Sequence, residues 1–327
     1  MFHRLPPLLL AVSLLGAAMA QTLTVYSGRG EGLVAPLIER FTAETGIEVA
    51  VRYGDTAQLA VLILEEGAAS PADVYWGQDA GALGALARAG RLREVPDALT
   101  SGLPGIYTGA SQTWVATSGR ARVFAYAPER VAELPTSVFD LTAPEWRGRV
   151  SWAPTNGSFQ AFVTAMRVVH GEDATRDWLR GMQRNGTQVY ANNTTQVEAI
   201  AAGEVDVALV NNYYLLRFLA NDPDYPVAQA FFEDGDTGNL VNVAGAGVVD
   251  TSAQPEAAER FLAFLLSDEA QAYFTDEVFE YPVTDRVAPN PNLESLARLV
   301  EASPDVDLDT LDDLDGTLDL LREVGLL

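Results

Sequence analysis

The chain has 327 residues and is strongly acidic, with 45 Asp and Glu against 21 basic side chains and a formal net charge of −24. It contains no cysteine and only two histidines, His3 and His170. Disulfides, thiolate metal sites, cysteine nucleophiles and His-rich zinc or copper centres are therefore excluded, and the charge argues against nucleic acid or an anionic membrane surface as partner. The first twenty residues read as an export signal: Arg4, an apolar stretch from Leu8 to Ala17, and Ala18-Met19-Ala20 before Gln21. Cleavage after Ala20 is expected, giving a periplasmic chain in a cell with two membranes. Its first residue would be Gln21, so a lipid anchor on a leading cysteine is not expected. No later run is apolar for long enough to span a bilayer, and no direct membrane insertion is expected.

Leu23 to Tyr26 reads as a strand that ends at Ser27-Gly28-Arg29-Gly30. A helix follows over about 32–44, with Leu33, Val34, Leu37, Ile38 and Phe41 at helical spacing. Gly46 stops it, and 47–53 alternates as a second strand. This βαβ opening predicts an α/β fold with a parallel sheet whose ligands lie beyond the strand C-terminal ends. The pattern continues with a helix over 56–66, a strand over 73–76, the loop Gly77-Gln78-Asp79 and a helix over 80–89. Further strands are expected at 113–116, 122–126 and 149–152. Asn156-Gly157-Ser158 precedes a long helix to about Val169, whose free N–H groups suit an anion. His170 then closes that helix before Gly171, a position where it complements the helix dipole. It leaves a Ser-His-Asp hydrolase little to build on, and no enzyme is expected. Gln188-Val189-Tyr190 leads into Asn192-Asn193. Val205 to Val210 is a buried-type strand that delivers Asn211-Asn212-Tyr213-Tyr214 at its end. Loops carrying Arg29, Gln78, Asn156, Asn193 and Tyr213 thus all leave strand ends, which converge on one cleft if two α/β lobes face each other.

Asp305, Asp307, Asp309, Asp312, Asp313, Asp315 and Asp319 make the end of the chain acidic. An EF-hand register from Asp305 fails, having Thr310 where the turn needs Gly and Gly316 where the bidentate Glu belongs. A terminal helix with a solvated acidic face is expected instead.

The pair Tyr213-Tyr214 is the most informative feature. Two adjacent phenols are awkward in a core, because each hydroxyl needs its own partner. One can pack while the other lies on the surface. Alternatively, as phenolates, they give two hard oxygen donors to one highly charged cation, and ferric iron can stabilise that charged form.

With these motifs in hand, the chain resembles the bacterial periplasmic ferric-iron-binding proteins, the solute receptors of iron ABC importers. The resemblance rests on Leu-Thr-Val-Tyr-Ser-Gly-Arg at 23–29, Glu-Glu-Gly-Ala-Ala-Ser-Pro-Ala-Asp-Val at 65–74 and Ser-Gly-Arg-Ala-Arg-Val at 118–123. Ala-Pro-Thr-Asn-Gly-Ser-Phe at 153–159 and Asn-Asn-Tyr-Tyr at 211–214 extend it. It implies two α/β lobes of the type II-like periplasmic binding fold, joined by hinge strands around a central cleft. The N-terminal lobe would take 21–117 and about 245–295, and the C-terminal lobe 118–244 and about 296–327. It implies Fe(III) on Tyr213 and Tyr214, a synergistic anion such as carbonate or phosphate, and a permease in the inner membrane as partner. A monomer is expected. Arg120 matches an arginine that clamps carbonate, with Arg29 a second candidate. Asn156, Gly157 and Ser158 match the anion loop, and Asn193 and Asn211 match polar residues around it.

Three positions depart from the family pattern. Gly30 stands where some members have a histidine, with Glu31 beside it as an alternative oxygen donor. Gln78 stands at a frequent glutamate ligand and could coordinate or hydrogen-bond the anion or a metal-bound water. Trp152 replaces a third tyrosine and is expected to wall the cleft. Tyr26 and Tyr75 could substitute as ligands, though strand packing suits each. The incomplete shell leaves open an iron chelate as ligand. It also leaves an organic cation, thiamine- or polyamine-like, stacked on Trp76, Trp114 and Trp152.

Overall fold

The computed structural model describes residues 22–101, 103, 107, 112–306 and 308–327. The expected export signal and Asp307 lie outside the described residues. The strands are β1 Thr22–Ser27, β2 Glu48–Tyr53, β3 Val74–Gly77, β4 Val115–Tyr126, β5 Val150–Trp152, β6 Gln188–Val189, β7 Val207–Asn211, β8 Ala228–Ala230 and β9 Val241–Val248. They form one mixed sheet in the order β2-β1-β3-β9-β4-β7-β5-β6, with β8 paired to β4. At one end β1, β2 and β3 run parallel. At the other, β5 runs parallel to both β6 and β7. The antiparallel pair β4 and β9 joins the two parallel sets. This is the two-lobed α/β arrangement that the βαβ opening and the strand-end motifs imply.

The first βαβ unit follows its hydrophobic pattern. Leu33, Val34, Leu37, Ile38 and Phe41 are all buried on the helix Glu31–Thr45. Gly46 ends that helix with φ 71°, a left-handed backbone that glycine adopts without strain. The helix Thr56–Glu66 has the expected bounds. Six helices start directly after the C-terminal ends of β1, β2, β3, β5, β6 and β7, at Glu31, Thr56, Ala80, Gly157, Asn193 and Asn212. Their unsatisfied N–H groups and dipoles therefore all lie on the side of the sheet where ligands bind.

The sequence suggests two separate strands, over 113–116 and 122–126. The structure has one twelve-residue strand, β4, with a register irregularity between Ala116 and Ser118. Ser118 and Gly119 have low β propensity, but the ladder overrides it. Positions 118–121 pair with β9, and Gly119 also bridges Tyr281. A side chain on Gly119 would lie 3.3 Å from Tyr281 Cβ, so the missing Cβ permits this third contact. Downstream, 122–126 pairs with β7. The long strand thus belongs to both lobes.

The end of the chain only partly matches a solvated acidic helix. Asp315 and Asp319 are exposed on the helix Leu314–Glu323. Asp312 instead pairs with Arg88 at 2.9 Å, and Asp313 pairs with Arg167 at 2.8 Å. Arg88 ends the helix after β3, and Arg167 lies on the helix after β5, so neighbouring carboxylates tie the tail to both lobes. Charge complementarity outweighs solvation at these two positions.

Candidate metal centre

Tyr213 and Tyr214 occupy the first turn of the helix Asn212–Asn221, immediately after β7. Their rings stack with centroids 4.3 Å apart and planes 30° apart. Tyr213 is 0% exposed and Tyr214 8%, so neither is a surface residue. Gln78, from the end of β3, donates its Nε2–H to the Tyr213 hydroxyl at 2.9 Å. That bond spans from one parallel set to the other. Burial raises the Tyr213 phenol well above its ordinary value; Tyr214 and Glu280 add to this, while Arg29 and Arg120 oppose it. Without a cation Tyr213 stays protonated, and only a strong Lewis acid at its oxygen would displace the proton.

The segment Asn156-Gly157-Ser158, expected to take an anion, starts a helix. Asn156 caps the helix Gly157–His170 by accepting from the Ser158 N–H at 3.0 Å. The Ser158 hydroxyl oxygen accepts from Arg120 Nε at 3.3 Å and from Asn211 Nδ2 at 3.0 Å. Asn211 is oriented from behind, its backbone N–H donating to Asn193 Oδ1 at 3.0 Å. Arg120, Ser158, Asn193 and Asn211 are all at most 2% exposed. Both terminal nitrogens of Arg120 are buried without a partner, and so is Asn211 Oδ1. A buried guanidinium fork with no acceptor is costly, and it matches the geometry of a planar oxyanion.

Arg29 differs from its expected role. Its two terminal nitrogens donate to the two oxygens of Glu280, each at 2.8 Å, and both side chains are fully buried. The fork is taken, and only Nε lacks a partner. Glu31 is exposed in the first turn of its helix, where its charge complements the helix N-terminus. Gly30 beside it has open space around its Cα. Tyr26 bonds Glu66 at 3.0 Å, and Tyr75 donates to the Thr56 carbonyl at 2.8 Å; both pack in their strands.

The tryptophans are core residues and not open stacking faces. Trp76 packs edge-on against Phe261 and Phe274 and donates to Thr117. Trp152 packs edge-on against Phe159 and Trp178. Trp114 is 3% exposed. The wall that Trp152 was expected to give the cleft is thus an aromatic core beneath it. His170 is exposed, meets the Phe139 ring edge-on and shares a hydrogen bond with Thr237.

Three buried residues of the site escape a reading of the sequence. Asp79 is 3% exposed; its Oδ1 caps the helix Ala80–Arg88, and its Oδ2 has no partner. Burial raises its carboxyl to about 6, against the lowering effects of the Ala82 N–H and Arg120. Arg122 is buried with both terminal nitrogens unpartnered and lies over the Phe159 and Phe162 rings. Burial lowers it to about 9; Arg120 adds to the lowering, and Tyr213 opposes it. The alternation of Arg120 and Arg122 along one strand was the available signal, since period 2 puts both on one face. Glu280 is 251 residues from Arg29 in sequence, and nothing local marks it.

The donor set is oxygen-rich. Among the described residues there is no group of three or more His, Cys, Asp and Glu fit for a metal. Two phenols, one bare carboxylate oxygen and two free guanidinium forks suit a hard, highly charged cation accompanied by an oxyanion.

Residues 23–280 match the family described as bacterial extracellular solute-binding protein. The chain is 36% identical to the major ferric iron-binding protein of Neisseria meningitidis serogroup B, over 97% of both chains. It is 32% identical to the Fe(3+)-binding periplasmic protein of Serratia marcescens, covering 98% of this chain and 95% of that one. Iron-bound HitA from Pseudomonas aeruginosa superposes with a TM-score of 0.88 at 35% identity, over 94% of this chain and 100% of the other. The chain belongs to the bacterial extracellular solute-binding proteins, in the family that includes these ferric iron-binding proteins.

Proposed function

We propose that this protein captures ferric iron together with a synergistic oxyanion in the cleft between its lobes and delivers it to an ABC importer in the inner membrane. The observation that carries the reading is the buried, stacked Tyr213–Tyr214 pair with the free fork of Arg120 in electrostatic reach of Tyr213. Tyr213 and Tyr214 each lose a proton to become ligands. Arg120, Ser158 and the helix N-terminus behind Asn156 and Gly157 hold carbonate or phosphate, with Asn193 and Asn211 fixing the serine. Gln78 serves Tyr213 as a hydrogen-bond donor and not as a ligand. Arg29, locked on Glu280, supports the wall of the site, and Glu31 stays solvated at its edge.

The lobes divide at the β4 irregularity between Ala116 and Ser118, whose partners on β9 are Gly245 and Ala244. This supports lobes of 21–117 with about 245–295, and 118–244 with the tail. The tail from about 296 also contacts the first lobe, through Arg88 and Asp312. The protein acts as a periplasmic monomer after cleavage behind Ala20, without catalytic turnover.

Equilibrium competition against citrate tests the reading. Replacing both tyrosines with Phe should weaken ferric binding by at least about 1,000-fold, given that second-shell changes alone cost about 10–100-fold. Because two phenols must deprotonate, and Tyr213 is protonated in the free protein, affinity should fall on acidification. The limiting slope is about 100-fold per pH unit. Iron binding that survives the double substitution, or that is flat between pH 8 and 6, would refute the reading.

A further inference from the structure

The bare oxygen of Asp79 has a use that helix capping does not explain. Capping occupies Oδ1, which accepts the Ala82 N–H at 3.0 Å. An asparagine would cap equally well without burying a charge. Oδ2 reaches across to the other lobe. A Cβ added to Gly157 would lie 2.5 Å from it, so a glycine at the N-terminus of the helix Gly157–His170 leaves this oxygen its room. On one side of Asp79, Gln78 bonds the Tyr213 hydroxyl. On the other, the Ala80 N–H donates to Asn242 Oδ1 at 3.1 Å, and Asn242 is the ladder partner of Arg120. The Asp79 carboxylate thus sits at the N-terminus of the helix Gly157–His170, within electrostatic reach of Arg120, next in sequence to the residue that bonds the phenol. Among the described residues neither it nor Arg120 is in an ion pair.

We propose that Asp79 Oδ2 is a third protein oxygen ligand to the captured ferric ion, supplying the carboxylate that Gln78 cannot. The proposal rests on the ferric reading above. Charge balance favours it. Two phenolates and one carboxylate neutralise a trivalent cation, leaving the two unpaired guanidiniums of Arg120 and Arg122 to be met by a doubly charged oxyanion such as carbonate or hydrogen phosphate. Ligation brings the carboxylate charge that the site already holds to the shortest distance from the cation, where its attraction is greatest.

Asp79→Asn separates ligation from capping, because Asn preserves the cap. Ferric citrate is added to wild-type and variant full-length protein at pH 7.5 with bicarbonate, and affinity and the visible spectrum are recorded. Asp79→Asn should keep the thermal midpoint of the iron-free protein. It should weaken iron binding by about 100-fold or more and move the tyrosinate-to-iron band to longer wavelength, as loss of an anionic donor makes the metal more electron-poor. A structural role alone would leave the band where it is. Unchanged affinity and band position in Asp79→Asn, while Tyr213→Phe abolishes binding, would overturn this proposal and leave the ferric reading intact. A wild-type protein that takes up no iron would overturn both.

Discussion

At the residue scale, the site depends on charges that are either fully paired or fully bare. Arg29 and Glu280 form a bidentate pair at 2.8 Å with no solvent access, and Ser118 also donates to Glu280. Removing one partner leaves an uncompensated buried charge, which costs far more than the pair itself contributes. Glu280→Gln should therefore lower stability by about 3–5 kcal/mol in urea unfolding, with the arginine left unbalanced against the wall of the cleft. A loss below 1 kcal/mol would mean that the pair is hydrated and relaxes freely. Legibility in the sequence divides along the same line. Tyr213 and Tyr214 announce themselves because adjacent phenols are chemically unusual. Arg29 was visible as a cation at a strand end, but its partner comes from the far end of the chain, and only the fold unites them. Asp79 reads from sequence only as the last residue of the loop before the helix over 80–89, since nothing local says that it caps that helix or that its second oxygen is bare.

At the element scale, strand ends did most of the positioning. Alternation and helical spacing marked β1, β2, β3 and the helices after them, and the bounds of Thr56–Glu66 were readable without error. The single strand β4 was not readable, because Ser118 and Gly119 look like a break and become strand only when β9 and the Tyr281 segment pair with them. The helix N-termini carry a testable steric demand. Gly157 meets Asp79 Oδ2 and Thr56, both from the other lobe, and a Cβ there would lie 2.5 Å from the first and 3.0 Å from the second. Gly157→Ala should leave the fold stable, as alanine favours helix, yet hold the lobes apart. Small-angle scattering with ferric citrate should then show no compaction in the variant and a smaller radius of gyration in the wild type. Equal compaction in both would mean that Asp79 swings aside and that the close approach is incidental.

At the scale of the whole molecule, two parallel half-sheets share the antiparallel pair β4 and β9, and polar groups from both meet in the interior between them. Gln78 bonds Tyr213 from the opposite half-sheet, and Asp79 Oδ2 lies close beside Gly157 of the other half. A cargo that binds these groups at once shifts the open–closed balance by its differential affinity for the closed form. Neighbouring Asp312 and Asp313 add a second tie between the lobes, through Arg88 and Arg167. The acidic tail could be read from sequence as charge but not as a strap, because its partners lie on two distant helices.

The central claim is that Tyr213 and Tyr214 together hold a ferric ion, and resonance Raman spectroscopy of the iron-loaded protein tests it most directly. Excitation in the visible band should enhance phenolate ring modes in the wild type, weaken and shift them in each single Tyr→Phe variant, and lose them in the double variant. An iron-loaded wild type without phenolate modes, or modes that persist in the double variant, would contradict the account.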